Sequence, residues 1–460
     1  MNELNIFFEP KSIAIIGASE TLKFGFPTTQ YLLNSKFKTY PVHLYKETIL
    51  GHKAYKNVKD IPEPVELAII LVKNDNVLGA VKDCIEKKVK GIIIETAGFA
   101  ETNIDKYVKL QKQIENLAKK SGVRIIGPNC VGITNFYNKF TSTEVDFNEP
   151  ILVGNISIIA QSGVLGNVFI DWGMSQKIGF SKSITLGNKV DVDEVDLLEY
   201  LQEDKNTKVI TMYLEGVKRG KEFINVLKKM TKPIIVVKNG KSDISARAIQ
   251  SHTGSIAGNN EIYDAIFRQF NCIFRVNDFY EMFNIAKIFS VQPLPNGKNV
   301  AIITGSGSLG ILACDYINHE GLNLAKLEKN TIDQIKEYAP NWVSLKNPVD
   351  LGPSQFITLE PALRALYADP NVDSILFIFT VPKNPLKNFG YSFKKPFGII
   401  KNLTEKLNKP CVISCFGSRW VFDFIINTAL KYNIPVVPSI KDSIKAFKMM
   451  YEFNQYLKSL

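Results

Sequence analysis

The 460-residue chain lacks any run of about 18 uncharged apolar residues, so no membrane-spanning helix is expected. Residues 1–10 also lack the apolar stretch of a secretory signal, and a cytoplasmic protein with no membrane role is the expectation. Cysteine is sparse: Cys84, Cys130, Cys272, Cys314, Cys411 and Cys415 are scattered, with no CxxC pair to suggest zinc or a redox dithiol. Cys411 and Cys415 fall on one face of an expected strand and read as buried thiols. Acid is in deficit, with 45 Asp+Glu against 56 Lys+Arg. The resulting charge of +11 would suit nucleic acid, but the lysines spread over expected helices such as 329–336 and 394–409 and do not cluster with aromatics. A solvated face, polyanionic small molecules or an acidic partner fit better, and no nucleic acid is expected. Low-complexity tracts are absent.

What remains is ordinary globular composition, 45% hydrophobic and 22% charged. This length suggests three domains at roughly 150 residues each. Three strand-to-helix openings organise it. The first is Ser12-Ile13-Ala14-Ile15-Ile16, turning at Gly17-Ala18-Ser19, with Lys23-Phe24-Gly25 before the next helix. Apolar runs at 67–72, 91–94 and 124–126 alternate with helical patterns at 75–88 and 104–120. That alternation predicts a doubly wound parallel sheet, whose ligands gather at the carboxyl ends of the strands. Those ends include Thr96-Ala97-Gly98 and Gly127-Pro128-Asn129-Cys130. A second sheet opens at 155–160, turns at Gln161-Ser162-Gly163-Val164 and continues through 183–186, 209–214 and 233–238. A third opens at 299–304, turns at Gly305-Ser306-Gly307-Ser308-Leu309-Gly310, and continues through 374–380, 410–415 and 434–437. Boundaries expected near 148–154 and at the Pro- and Gly-rich 292–297 divide the chain into 1–150, 151–294 and 295–460.

His252 is one of only four histidines and sits among Ser251, Thr253, Gly254 and Ser255. Small neighbours leave an imidazole free to meet a phosphate as nucleophile or proton carrier; taken alone, the stretch reads equally as a surface loop with an incidental histidine, and the rest of the chain decides between them. Glu215 follows the expected strand 209–214 at the same sheet edge. It can accept Nδ1–H of an imidazole and leave Nε2 reactive, or it can pair with Lys218 or Arg219. Residues 305–310 match the G-x-G-x-x-G dinucleotide fingerprint, with Glu328 at about the distance of a ribose-binding acid. Yet all three Gly/Ser turns open helices, and free N–H groups with the positive dipole end suit any phosphate. The acidic stretch 188–194 lacks the Gly and terminal Glu of a calcium loop; helix capping is the better reading, and no metal site is assigned. The Asn347-Pro348-Val349-Asp350 turn is plausible beside a site.

These motifs, in this order, resemble the α subunit of the ADP-forming acyl-CoA synthetases, of the succinyl-CoA synthetase superfamily. The residues carrying the resemblance are Gly17-Ala18-Ser19, Lys23-Phe24-Gly25, Thr96-Ala97-Gly98-Phe99, Gly127-Pro128-Asn129-Cys130, Gln161-Ser162-Gly163, Leu186-Gly187-Asn188, Glu215-Gly216, Ser251-His252-Thr253-Gly254-Ser255 and Asn347-Pro348-Val349-Asp350. The resemblance implies an N-terminal Rossmann-like CoA-binding domain followed by two flavodoxin-like domains. It implies that acyl-CoA, phosphate and ADP give free acid, CoA and ATP, through an acyl phosphate and a phosphohistidine at His252, with Glu215 steadying the imidazole. Gly17, Ala18, Ser19, Lys23, Thr96, Ala97, Gly98 and Asn129 map to the coenzyme A side. Ser162, Gly163 and Val164, with Ser306, Gly307 and Ser308, map to paired helix starts that hold phosphate. ADP or ATP with Mg2+ is expected on an ATP-grasp β subunit in an α2β2 assembly; the family handles acetate, branched and aryl acids, and an acetate–CoA ligase type is the expectation. Two rivals stand: a CoA-binding regulatory or protein-acetyltransferase-related module, which would need neither His252 nor Glu215, and an NAD dehydrogenase using 305–310.

Overall fold

The computed structural model describes residues 2–240, 260–388 and 390–460; His252 lies outside them. The chain forms two compact units, Met1–Arg275 and Val276–Leu460.

Strands covered on both faces read as continuous aliphatic runs, and Ser12–Ile16, Leu67–Ile70 and Gly91–Ile94 are buried along their whole length. With Lys38–Val42 and Arg124–Ile126 they form a five-stranded parallel sheet in the order Lys38–Val42, Ser12–Ile16, Leu67–Ile70, Gly91–Ile94, Arg124–Ile126. Helix Asn74–Glu86 buries Val77, Val81 and Cys84, and helix Asp105–Ser121 buries Ile114 and Ala118. The i, i+4, i+7 spacing of the first and the i, i+4 spacing of the second give each helix one apolar stripe. The strand order reverses between Ser12–Ile16 and Leu67–Ile70, which leaves a crevice at their carboxyl ends. Lys38–Val42 is not among the expected strands because Pro41 interrupts its pattern; it is tolerated because this strand lies at the sheet edge.

The second sheet of this unit has the order Ile273–Val276, Ile234–Lys238, Val209–Leu214, Val153–Ala160, Phe180–Thr185, Ile133–Asn135, Phe140–Thr141. The last two strands run antiparallel and come from before residue 150, so the chain enters this sheet ahead of the boundary expected there. Backbone bonds then tie the two sheets' loops together. Asn188 N–H donates to Pro128 O at 2.8 Å, Val190 N–H to Gly127 O at 3.1 Å, and Val192 N–H to Ile125 O at 3.0 Å.

In the second unit, Asn323–Leu324, Asn299–Thr304, Ser374–Phe379, Cys411–Cys415 and Val436–Val437 form a parallel sheet, with Val349–Asp350 beside the end of Asn299–Thr304. Cys411 and Cys415 are buried, as expected. Helix Phe279–Val291 packs on the C-terminal helix Ile440–Ser459 through Asn284 Nδ2 to Asp442 Oδ2, 2.8 Å, and Lys445 Nζ to Glu281 Oε1, 2.5 Å. It thus belongs to this unit although it precedes the boundary expected at 294. No helix among the described residues is long and apolar enough to cross a membrane.

Candidate functional site

The first sheet's loops are shaped by close backbone approach. Gly17, at φ +93°, would bring a Cβ to 3.0 Å from the Leu71 carbonyl carbon, so only glycine lets the first turn lie against the neighbouring strand end. Gly17 N–H and Ala18 N–H both donate to Val42 O, Ser19 N–H donates to Thr29 Oγ1, and Lys23 is exposed. Thr96 Oγ1 donates to Val72 O at 2.7 Å. Its carbonyl accepts Asn129 N–H at 2.9 Å, and Asn129 Nδ2 reaches Asn188 Oδ1 at 3.3 Å. Gly98 N–H donates to Glu101 Oε1 at 2.6 Å.

At the second sheet, strand Val153–Ala160 ends at Gln161, and Ser162 is the N-cap of helix Gly163–Ser175. Its side chain makes no cap bond, which leaves the first N–H groups of a 13-residue helix available to an anion. Gly163 sits against Val131, whose Cγ2 would lie 2.7 Å from an added Cβ, while Val164 is exposed. Glu215 is buried at 7% exposure directly after strand Val209–Leu214. Neither neighbouring cation is turned to it as an ion pair: Lys218 Nζ donates to Asn188 O at 3.1 Å, and Arg219 grips Asp193 and Asp196. Gln161 Oε1 accepts the N–H groups of Glu215 and Gly216 at 2.6 and 3.0 Å. The acidic stretch proves to be a cap: Asp193 accepts Val195 N–H, and Asp196 accepts Asp193 N–H, at the start of helix Glu194–Glu203.

One cavity of about 1290 Å³ is lined by both sets of loops. It brings together Thr96, Ala97, Gly98 and Asn129 with Ser162, Gly163, Val164 and Glu215. Gly17, Ala18, Ser19 and Lys23 are not on its wall, although their turn abuts Leu71 and Val72, which are. Glu95, Gln161, Asn188 and Lys189, to which the sequence reading gave no role at the site, line the same wall. Glu95 carries a buried Oε1 without a hydrogen-bond partner, and burial, aided by the Glu144 charge, pushes its carboxyl well above the usual range. Lys238, at the strand end leading towards 241–259, is pushed down to about 8 by burial and by Arg275, against the pull of Glu215.

In the second unit Ser306 is the N-cap of helix Gly307–His319, again without a side-chain cap bond. Asp350 Oδ2 would lie 2.8 Å from a Cβ on Gly307, so the Asn347-Pro348-Val349-Asp350 turn does stand beside this helix start. Glu328 is the N-cap of helix Lys329–Lys336.

In a parallel α/β scaffold ligands gather where strand-end loops meet, and here those loops share one large cavity with an uncapped helix start and a buried carboxylate. The comparisons sharpen this. Residues 11–135 match a CoA binding domain, 153–289 a succinyl-CoA ligase like flavodoxin domain, and 300–434 a ligase-CoA domain. The chain is 39% identical over 452 residues to the α subunit of acetate–CoA ligase (ADP-forming) II of Pyrococcus furiosus, covering 95% of each. It is 38% identical to acetate–CoA ligase (ADP-forming) II of Archaeoglobus fulgidus, covering 99% of this chain and 67% of that one. The solved acetyl-coenzyme A synthetase 1 of Ca. Korarchaeum cryptofilum, in complex with phosphate and ADP, superimposes with a TM-score of 0.89 at 30% identity, covering 100% and 99%. The chain belongs to the ADP-forming acyl-CoA synthetase family, as an acid–CoA ligase of the α-subunit type. These matches support the ligase reading over a regulatory module or a dehydrogenase.

Proposed function

We propose that this chain carries the coenzyme A and phosphate chemistry of an ADP-forming acyl-CoA synthetase, acetate–CoA ligase in type, converting acyl-CoA, phosphate and ADP to free acid, CoA and ATP. A phosphate oxygen attacks the thioester carbonyl and expels the CoA thiolate, giving an acyl phosphate. Nε2 of His252 then takes the phosphoryl group and releases the carboxylate, and the phosphohistidine passes it to ADP. Glu215 accepts Nδ1–H and holds the reactive tautomer. Helix starts at Ser162-Gly163-Val164 and Ser306-Gly307-Ser308 each offer about half a positive charge to the phosphoryl group. Gly17, Ala18, Ser19, Lys23, Thr96, Ala97, Gly98 and Asn129 hold coenzyme A. ADP and Mg2+ belong to an ATP-grasp β subunit in an α2β2 assembly in the cytoplasm.

The observation that carries this reading is the shared cavity, where Thr96, Gly98 and Asn129 meet Ser162, Gly163 and Glu215. Incubation with acetyl-CoA and labelled phosphate should put an acid-labile, base-stable phosphate on the chain, absent from His252→Ala. The same label on that variant would overturn the assignment.

A further inference from the structure

We propose that Gln161 is a positioning residue for phosphoryl transfer: one side-chain amide locks the backbone of Glu215 to the start of the helix Gly163–Ser175. This rests on the function proposed above, in which Glu215 steadies His252 and that helix start holds phosphate.

Strands Val153–Ala160 and Val209–Leu214 pair in parallel with Ala160 opposite Tyr213, so Gln161 and Glu215 leave neighbouring strand ends one and two residues further on. Gln161 N–H still donates to Tyr213 O at 3.2 Å. Beyond that point the ladder stops and the side chain continues it. Oε1 accepts Glu215 N–H at 2.6 Å and Gly216 N–H at 3.0 Å, while Nε2 donates to Gly216 O at 2.9 Å and to Glu194 Oε2 at 3.1 Å. A second brace closes on the same atoms, since Lys189 Nζ donates to Gly216 O at 2.8 Å and to Glu194 Oε2 at 3.0 Å. Gln161 is buried at 7% exposure and Glu194 fully, so these bonds face little competition from water.

The next residue along from Gln161 is Ser162, the helix N-cap. One end of the amide is therefore covalently fixed to the anion-binding helix start, and the other holds the residue that supplies the carboxylate. The polarity is specific: one atom must accept twice and the other must donate twice, which an amide does and a carboxylate or thioether does not.

The test uses the chain with its β subunit, acetyl-CoA and labelled phosphate, following the rate of His252 phosphorylation alongside CoA affinity. Gln161→Met keeps length but removes all four bonds. It should slow phosphorylation by roughly ten- to a hundredfold, the range for displaced reacting groups, with CoA affinity within about twofold. Gln161→Glu keeps the acceptor and sets an anion against Gly216 O and Glu194. Its rate should climb towards that of the parent as pH falls and the introduced carboxyl regains a proton to donate, an effect that a purely structural role would not produce. Parent-like phosphorylation in Gln161→Met, or a Gln161→Glu pH profile parallel to the parent's, overturns the proposal; if the Met variant fails to fold, the Glu profile decides. A parent chain that never labels on His252 would strike the proposed function instead.

Discussion

Arg219 Nε donates to Asp193 Oδ2 at 2.7 Å, and the same guanidinium engages Asp196. Burial works against a charged Asp193, yet the Arg219 bond prevails and holds its carboxyl below the usual range. The strap ties the segment after Glu215 to the start of helix Glu194–Glu203, where Asp193 caps the first turn. Lys218 is spent on the carbonyls of Asn188 and Lys189. Lys218 and Arg219 thus serve the scaffold, while Lys238 feels the charge of Glu215.

Glu215→Gln should therefore keep the fold and the affinity for coenzyme A while lowering phosphoryl transfer by roughly 10²- to 10⁴-fold, the scale of a lost acid–base partner. Single-turnover labelling of His252 reads this directly. Unchanged turnover would return Glu215 to a structural role.

Coenzyme A and NAD make different demands on the two glycine turns. If the Gly17 turn serves coenzyme A, calorimetry on the intact chain should give heat with CoA and none with NAD. Lys23→Ala should weaken CoA binding by about 1.5 kcal/mol, the low end for a hydrogen bond to a charged group, because Lys23 is exposed. Tight NAD binding lost on filling Gly307 would make the second unit a dinucleotide site.

Glu95 links the cavity wall to stability. Its carboxyl is raised in the folded chain, so the fold retains a proton that the unfolded chain releases above its ordinary pKa of about 4.3. Stability from this group is complete below that value and declines as pH rises. Glu95→Gln has nothing to lose, so its melting temperature should gain on the parent between pH 5 and pH 8, by a few degrees at roughly 2–4 °C per kcal/mol. Parallel melting curves across that range would show that the folded carboxyl titrates normally.

The sequence by itself determined most of the parallel strands and the turns that follow them. Strands expected at 12–16, 91–94, 124–126, 209–214 and 299–304 appear with those bounds, and the other expected strands differ by one to three residues at one end or both. Aliphatic runs and Gly/Ser turns act within a few residues of chain, so their pattern is local and readable. Tertiary structure alone decided which edges met. The strand Lys38–Val42 is sustained by pairing with Ser12–Ile16 despite Pro41, and Ile133–Asn135 enters the second sheet between Phe180–Thr185 and Phe140–Thr141. Gln161 shows the same divide at the site. Its place before the helix is plain in the chain, but its hold on Glu215 spans 54 residues and exists only because strands Val153–Ala160 and Val209–Leu214 pair in one register. Side-chain bonds of that reach follow from sheet order and burial, which depend on the summed packing of the whole chain and leave no periodic mark in it.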